Sequence, residues 1–550
     1  MLKTKLGNLG ASRKRSIAIV AIVTISIAVV AILLTSTFAA SPFASLESED
    51  DVLSNGATAV SDATESNARA ALPGADSSAR NWPSEPPARI CGNRRILGGG
   101  PTEPPKGAVV VPAGDNSSVD FGRADTTYWF ATGTHTLGTG EFSQIVPGGN
   151  SRFVGTPGAI LDGQGLNKYA FVQHAVHVVI EYLTIQNFIP SNSESVVNQS
   201  AGNGWTVQFN TIRDNRGAGV NTGTDNVVRY NCLTRNGQYG FKSYDADGGP
   251  SSVTLDHNEV SYNNTEDWEA QKPNCGCTGG GKFWAVTGAT VTNNYVHHNY
   301  GPGLWADTNN IGFLIEGNYI YENDSVGIFY EISYNALIQR NTLIRNGLEA
   351  GASNTGFPTG AIYISEAGSD SRVDSAYNTT LDITGNYLKD NWGGVVLWEN
   401  ANRFCGSPKN PTDDCTLVNS DATLDTCTDP DNGGVVDIEP YYSDCRWKTQ
   451  NVKVHGNTFQ HTPSNIGPEC TLENHCGVMS MLSNWGTWPK WSPYRGSVIQ
   501  EEISFGQGNS WSNNTYSGGW RFIPVKAGNQ VTFTEWQASP YGQDRGSTYN

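Results

Sequence analysis

From Tyr128 onward the chain alternates short apolar runs with polar punctuation, and the punctuation repeats. Val207-Gln208-Phe209-Asn210-Thr211-Ile212-Arg213-Asp214-Asn215 is followed by Val228-Arg229-Tyr230-Asn231-Cys232-Leu233-Thr234-Arg235-Asn236. The motif returns at Asn258, Asn294, Asn318, Asn341 and Asn386, each time with a second Asn five residues on (Asn263, Asn299, Asn323, Asn346 and Asn391). Val454-His455-Gly456-Asn457 is a degenerate copy. Uninterrupted copies lie 21, 24 and 23 residues apart, the length of one coil of three short strands and three turns. Within each copy the period is two, so one face of every strand points inward. The recurrent Asn has two physical uses. It tolerates the left-handed backbone of a tight turn, and its amide can bond the same Asn one coil away. Gaps of 27, 36, 45 and 71 residues are then coils carrying loops, and such insertions gather on one face of a solenoid. The pattern predicts an all-β chain, a single-domain right-handed parallel β-helix of about 21–24-residue coils.

This layout resembles the pectate-lyase-like superfamily of right-handed β-helices over about residues 100–535. It includes the opening segment Gly155-Thr156-Pro157-Gly158-Ala159-Ile160-Leu161-Asp162-Gly163-Gln164-Gly165. The architecture hosts lyases, hydrolases, epimerases and adhesins, so function has to come from a site.

Two copies carry chemistry. Gly303-Leu304-Trp305-Ala306-Asp307 and Gly327-Ile328-Phe329-Tyr330-Glu331 align without a gap, 24 residues apart. If Leu304 and Ile328 face the core, Ala306 and Tyr330 do too. Trp305, Phe329, Asp307 and Glu331 then face outward. Neighbouring parallel strands lie about 4.8 Å apart, which predicts carboxyl groups about 5 Å apart. Retaining glycosidases need about 5–5.5 Å, and inverting ones about 6.5–9.5 Å. Like charges that close separate the two protonation equilibria, as one nucleophile and one proton donor require. The plain alternative is a solvated surface pair, against which stands the cost of stacking like charges on adjacent strands. The stretch from Gly303 to Ser333 is similar to the catalytic segment of the β-helix β-xylosidases, with Leu-Trp-x-Asp and Glu-x-Ser settings. That resemblance implies Asp307 as nucleophile and Glu331 as acid/base.

Flanking copies extend the strip. Gly240-Phe241-Lys242-Ser243-Tyr244 stands four residues after Asn236, as Gly303 does after Asn299, which puts Lys242 and Tyr244 outward. Lys282 and Trp284 lie in a coil whose register the sequence leaves open by one residue. Tyr363, Glu366 and Trp398 continue the strip on the other side. Tyr244, Trp284, Trp305, Phe329, Tyr363 and Trp398 form a candidate aromatic track for sugar rings. Packing of the same rings under loops is the competing reading.

Composition narrows the function class. Net charge is −17, which excludes a nucleic-acid partner and favours a neutral polysaccharide or oligosaccharide over a polyanion. The rival chemistry is a polysaccharide lyase or epimerase on a uronic-acid polymer, drawing on Lys242, Lys282, Asp245 and Asp247. Ca²⁺ is expected only there; otherwise no cofactor and no metal are expected. A non-catalytic glycan-binding surface protein is the third reading, and it has no use for two carboxylates one rung apart.

The N-terminus reads as export. Lys3, Lys5, Arg13, Lys14 and Arg15 precede an apolar run of 18 residues from Ile17 to Leu34, followed by Phe38-Ala39-Ala40-Ser41. Residues 1–40 are therefore a signal peptide or a signal anchor, and the anchor is the only membrane contact expected. Residues 41–90 read as a disordered acidic Ser/Ala/Pro linker. Residues 91–535 read as the helix, with a Cys-rich insertion at 400–476, and 536–550 as a tail. Ten cysteines fit an oxidising compartment. Sequential pairing is expected among Cys405, Cys415, Cys427, Cys445, Cys470 and Cys476. Cys275-Gly276-Cys277 reads as structural, since it lacks four-ligand zinc spacing. Trp485, Trp488 and Trp491 read as a cap or a binding patch. The protein is expected to be secreted and monomeric.

Overall fold

Each coil spends three short strands on three faces. Thr206–Gln208, Thr211–Arg213 and Ala218–Thr222 make one coil, and Val227–Arg229, Cys232–Thr234 and Phe241–Ser243 make the next. Like strands stack in parallel into sheets of 13, 14 and 10 strands, named here the first, second and third. The chain is a right-handed parallel β-helix. The computed structural model describes residues 82–245, 249–273, 275–369, 380–400, 448–483 and 499–550, and the paired backbones of 58–60 and 69–71. Residues 1–57, the four cysteines from Cys405 to Cys445 and the three tryptophans from Trp485 to Trp491 lie outside the described residues. Among the described residues, no helix is long and apolar enough to cross a membrane.

The core is a set of apolar columns. In the first sheet Val228, Leu255, Val291, Ile315 and Ile338 occupy one column in register, all fully buried or nearly so. The asparagines form two further columns. Nδ2 of Asn294 donates to Oδ1 of Asn318 at 3.0 Å, and Asn318 donates to Asn341 at 2.9 Å. The second column runs beside it, Asn299 to Asn323 and Asn323 to Asn346, each at 2.9 Å. The first column spans the 71-residue gap to Asn457 and reaches Asn514.

The left-handed residue of the turn is not the asparagine itself, as expected from sequence, but the residue before it. Phe209, Tyr230 and Gly317 have φ of 58°, 53° and 66°. This division leaves the Asn amide free to turn inward and bond along the axis.

Both domain edges differ from expectation. Residues 82–90, read as linker, run as a strap along the first positions of second-sheet strands, against the direction of coil growth. Trp82 stacks on Tyr387 at 5.3 Å, Pro83 O accepts from Thr342 Oγ1, and Cys91 is bonded to Cys232. Buried Glu259 gathers Arg89 Nε and the backbone N–H groups of Ile90 and Cys91 at 2.6–2.9 Å. A proline-rich segment with a ring, a cation and a cysteine at such anchor points gains enough contacts to be ordered. At the other end, 536–550 are part of the helix. Thr548–Tyr549 joins the second sheet, and Trp536 is fully buried with its indole N–H on Asp544. An open solenoid end exposes its core and needs such a cap. The insertion is also shorter than expected, because Val452–His455 and Thr458–His461 are ordinary rungs. Cys470 pairs with Cys476, as sequential pairing predicted.

Candidate active site

Asp307 and Glu331 end neighbouring strands of the third sheet. Leu304–Asp307 pairs with Ile328–Glu331 residue for residue, so the two acids are rung partners. Alternation sorts the side chains as the sequence suggested. Leu304, Ala306, Ile328 and Tyr330 lie in the core, and Trp305 stacks on Phe329 with ring centres 5.2 Å apart and planes 8° apart.

The acids are held by their neighbours. Glu331 Oε1 accepts the Trp305 indole N–H at 2.8 Å. Asp307 Oδ1 accepts from Thr308 Oγ1 at 2.9 Å, and Oδ2 faces Lys282 Nζ at 2.7 Å. The turns beyond both strands are tied together. Asn310 Nδ2 donates to Asp307 O at 3.0 Å and to Ser333 Oγ at 3.1 Å, and Ser333 Oγ donates to Glu331 O at 2.6 Å. Asp307 is 9% exposed and Glu331 2%, so polar interactions at this pair are little screened by water.

The open register of Lys282 and Trp284 is resolved: Lys282 pairs with Trp305, and Trp284 with Asp307. The lysine lies 3.8 Å from the Trp305 ring centre and donates to Gly276 O at 2.7 Å. Lys242 is the next rung partner of Lys282. It belongs to the outward column but is almost fully covered, at 7% exposure. Its Nζ donates to Ser193 O and lies 5.6 Å from the Tyr244 ring centre.

Burial pulls the Lys242 ammonium down to about 8, against a smaller opposing pull from Glu194. An unfolded lysine titrates near 10.4. The folded protein therefore bears the full cost of this charge below pH 8 and sheds it as pH rises towards 10.4. Lys242→Met is expected to stabilise by about 3 kcal/mol at pH 7, with the gain shrinking through that window. Urea melts of both proteins across pH 7–10 check this; a gain independent of pH would refute it.

The aromatic track resolves into two columns. Trp305, Phe329 and Tyr363 share one, while Trp284 lies in the column of Asp307, Glu331, Ser365 and Trp398. Tyr244 follows Ser243, the rung partner of Phe283, and so extends that second column; it is 38% exposed. Phe357, from the loop at 347–360, packs on Trp398 at 4.7 Å and Tyr363 at 6.5 Å. At those two positions the loop-packing reading holds. Glu366 turns aside from the strip at a positive φ of 42°; it is fully buried and accepts from Ser365 Oγ at 2.7 Å and from Asn400 N.

Two participants were not anticipated. Tyr239, buried, donates to Gly276 O at 3.0 Å. Burial, then the charges of Asp307 and Glu269, hold its hydroxyl well above the usual tyrosine range. The Cys275–Cys277 disulfide loop carries that carbonyl to both Tyr239 and Lys282. The Cys-Gly-Cys motif was visible in sequence, but its docking onto the site was not. Among the described residues, the groups with metal-ligand spacing are Glu269 with Cys275 and Cys277, and His461 with Cys470 and Cys476. Both sulfur pairs are disulfides, which leaves no thiolate to ligate.

A family model for right-handed β-helix regions matches residues 248–375. No curated protein sequence matches the chain. Among solved structures, the A-module of Azotobacter vinelandii mannuronan C-5 epimerase AlgE4 is 14% identical, covering 53% of this chain and 82% of its own, with a TM-score of 0.35. The periplasmic alginate epimerase AlgG is 12% identical over 78% and 77%, with a TM-score of 0.36. A tailspike protein of E. coli bacteriophage HK620, solved with a hexasaccharide, is 11% identical over 80% and 71%, with a TM-score of 0.31. These likenesses are of fold.

Proposed function

We propose that this protein is an exported carbohydrate-active enzyme, a retaining glycoside hydrolase acting through Asp307 and Glu331. The observation that carries the reading is their rung pairing on the outward side of the third sheet. Rungs about 4.8 Å apart suit double displacement, whose carboxyl groups stand about 5–5.5 Å apart, better than inversion, whose carboxyl groups stand about 6.5–9.5 Å apart. Two donors face Asp307, which suits a carboxylate reacting as an anion. Glu331, buried beside the Trp305 indole, is the rung partner left to act as acid and then as base. In the first step Asp307 attacks the anomeric carbon while Glu331 gives its proton to the leaving oxygen. In the second, water attacks the same carbon, Glu331 takes the water's proton, and Asp307 leaves. The disulfides among the described residues fit an oxidising compartment.

The lyase or epimerase alternative draws on geometry: Lys242 and Lys282 are rung partners in the outward column of Trp305, and burial pulls the Lys242 ammonium down, the direction a general base needs. The test is cleavage of a panel of aryl glycosides and glycans, followed by reducing ends and by the ultraviolet absorbance of unsaturated uronates. Reducing ends without that absorbance, abolished by Asp307→Asn with the fold intact, support hydrolysis. Unsaturated products, or activity that survives Asp307→Asn and disappears in Lys242→Met, transfer the chemistry to the lysine.

A further inference from the structure

Lys242 carries a charge that no ion pair among the described residues answers, Glu194 acting on it only from beyond ion-pair distance. Its rung partner Lys282 spends its charge on Asp307. Among the described residues no carboxylate lies within ion-pair distance of Lys242, and one hydrogen bond, to Ser193 O, uses one of its three protons. Two lysines stacked on adjacent parallel rungs repel each other, and a covered ammonium without a counter-charge is costly. Leucine or methionine would fill the same space without that cost.

The position shows what could answer the charge. Lys242 stands between Asn221 and Lys282 in the column that continues to Trp305 and Phe329. Beside it, Tyr244 heads the column that continues through Trp284 to Asp307. A chain of sugar rings laid along these columns with its scissile bond at Asp307 places a ring two rungs away, at Tyr244, within reach of Lys242. Tyr244 is also the part of this corner most open to solvent.

We propose that Lys242 forms a subsite for the carboxylate of a uronic-acid unit, two rungs from the reacting bond, so that the substrate is an acidic rather than a neutral glycan. The subsite rests on the glycan-processing reading above for the direction of the cleft. The overall charge of −17 argued for a neutral substrate. The two stacked lysines are a local exception, placed where a substrate would pass. One carboxylate on Lys242 also relieves its repulsion with Lys282, which a neutral sugar does not.

The test reads binding without turnover. The full-length protein carrying Asp307→Asn is titrated calorimetrically with gluco-, galacto- and manno-configured hexuronate trisaccharides and with their carboxyl-reduced, neutral counterparts. At least one acidic trisaccharide is expected to bind about tenfold or more tighter than its neutral twin. Adding Lys242→Met should erase that ratio, while Lys242→Arg should keep it. Equal affinity for acidic and neutral sugars, no binding of either, or a preference unchanged in Lys242→Met overturns the proposal. Product analysis of the titrated samples establishes that the variant cuts no bond, and failure of the hydrolase reading shows separately, in the products made by the wild-type protein. A wild-type enzyme that cleaves neutral glycans without uronate preference would keep the hydrolase and remove the subsite.

Discussion

Glu331→Gln is expected to lower kcat about 10²–10⁴-fold on glycosides with unactivated leaving groups, the span general acid catalysis supplies. On aryl glycosides whose leaving group departs without a proton, the loss in the first step should be far smaller. Asp307→Asn should behave differently, costing at least about 10³-fold on both substrate types, because a neutral amide cannot form the glycosyl ester whatever the leaving group. The contrast is the informative measurement, since a mere structural role would slow both substrates alike in both variants. The pH profile adds a second reading. A general acid must be protonated, so the wild-type rate should fall on the alkaline side, and Glu331→Gln should lose that limb. Small anions such as azide should restore turnover in Glu331→Gln, giving a sugar azide with the substrate's configuration, because they need no base to attack the glycosyl ester. Equal losses in kcat/KM, which reports the first step, on both substrate types in Glu331→Gln would remove the acid/base assignment while leaving Asp307 standing.

Much of this arrangement was legible in the sequence, and the legible part has a single cause. A solenoid repeats its own geometry, so an alignment of two copies is also a statement of contact. Aligning Gly303 with Gly327 put Asp307 beside Glu331 and Trp305 beside Phe329, and both pairs are rung partners. Where the repeat is broken by insertions, the inference stopped. Lys282 follows the loop at 264–280, which removes the count that fixes register. Phe357 comes from a loop with no repeat at all, so its packing over Tyr363 and Trp398 could not be read. The strap failed for another reason. Composition marked residues 41–90 as unable to build a core, yet 82–90 need none, because Glu259 and Cys232 supply anchors from a surface already built. Composition describes what a segment can do alone, and the strap does not act alone. The asparagine turn shows the same limit in miniature. Sequence identified the residue but credited it with both tasks, where the backbone gives the left-handed bend to its predecessor.

Asn318→Ala is expected to destabilise the protein by about 4 kcal/mol, and to damage activity before it melts the fold. Asn318 Oδ1 accepts two bonds from Asn294, from backbone N at 2.9 Å and from Nδ2 at 3.0 Å. Its own Nδ2 donates to Val291 O at 2.8 Å and to Asn341 Oδ1 at 2.9 Å. All of these atoms are buried, so no water replaces what alanine removes. Each buried polar group left without a partner costs about 1–3 kcal/mol, and the backbone N–H of Asn294 and one amide proton are left so. Asn318→Asp is no remedy. It keeps the acceptor but turns an anion towards two oxygens, Val291 O and Asn341 Oδ1. The coil of Asn294 carries Asp307, and the coil of Asn318 carries Glu331. The bond between the two asparagines therefore joins the two coils whose register sets the carboxylate spacing. In a solenoid each coil is stabilised mainly by its neighbours, so the lesion should act first on this junction. Hydrogen exchange should rise in the strands at 287–297 and 311–321 while the end coils keep their protection, and kcat should fall at temperatures well below the melt. A loss under 1 kcal/mol in a urea melt, or a uniform rise in exchange along the whole helix, would show that the asparagine columns decorate the coils rather than set their register.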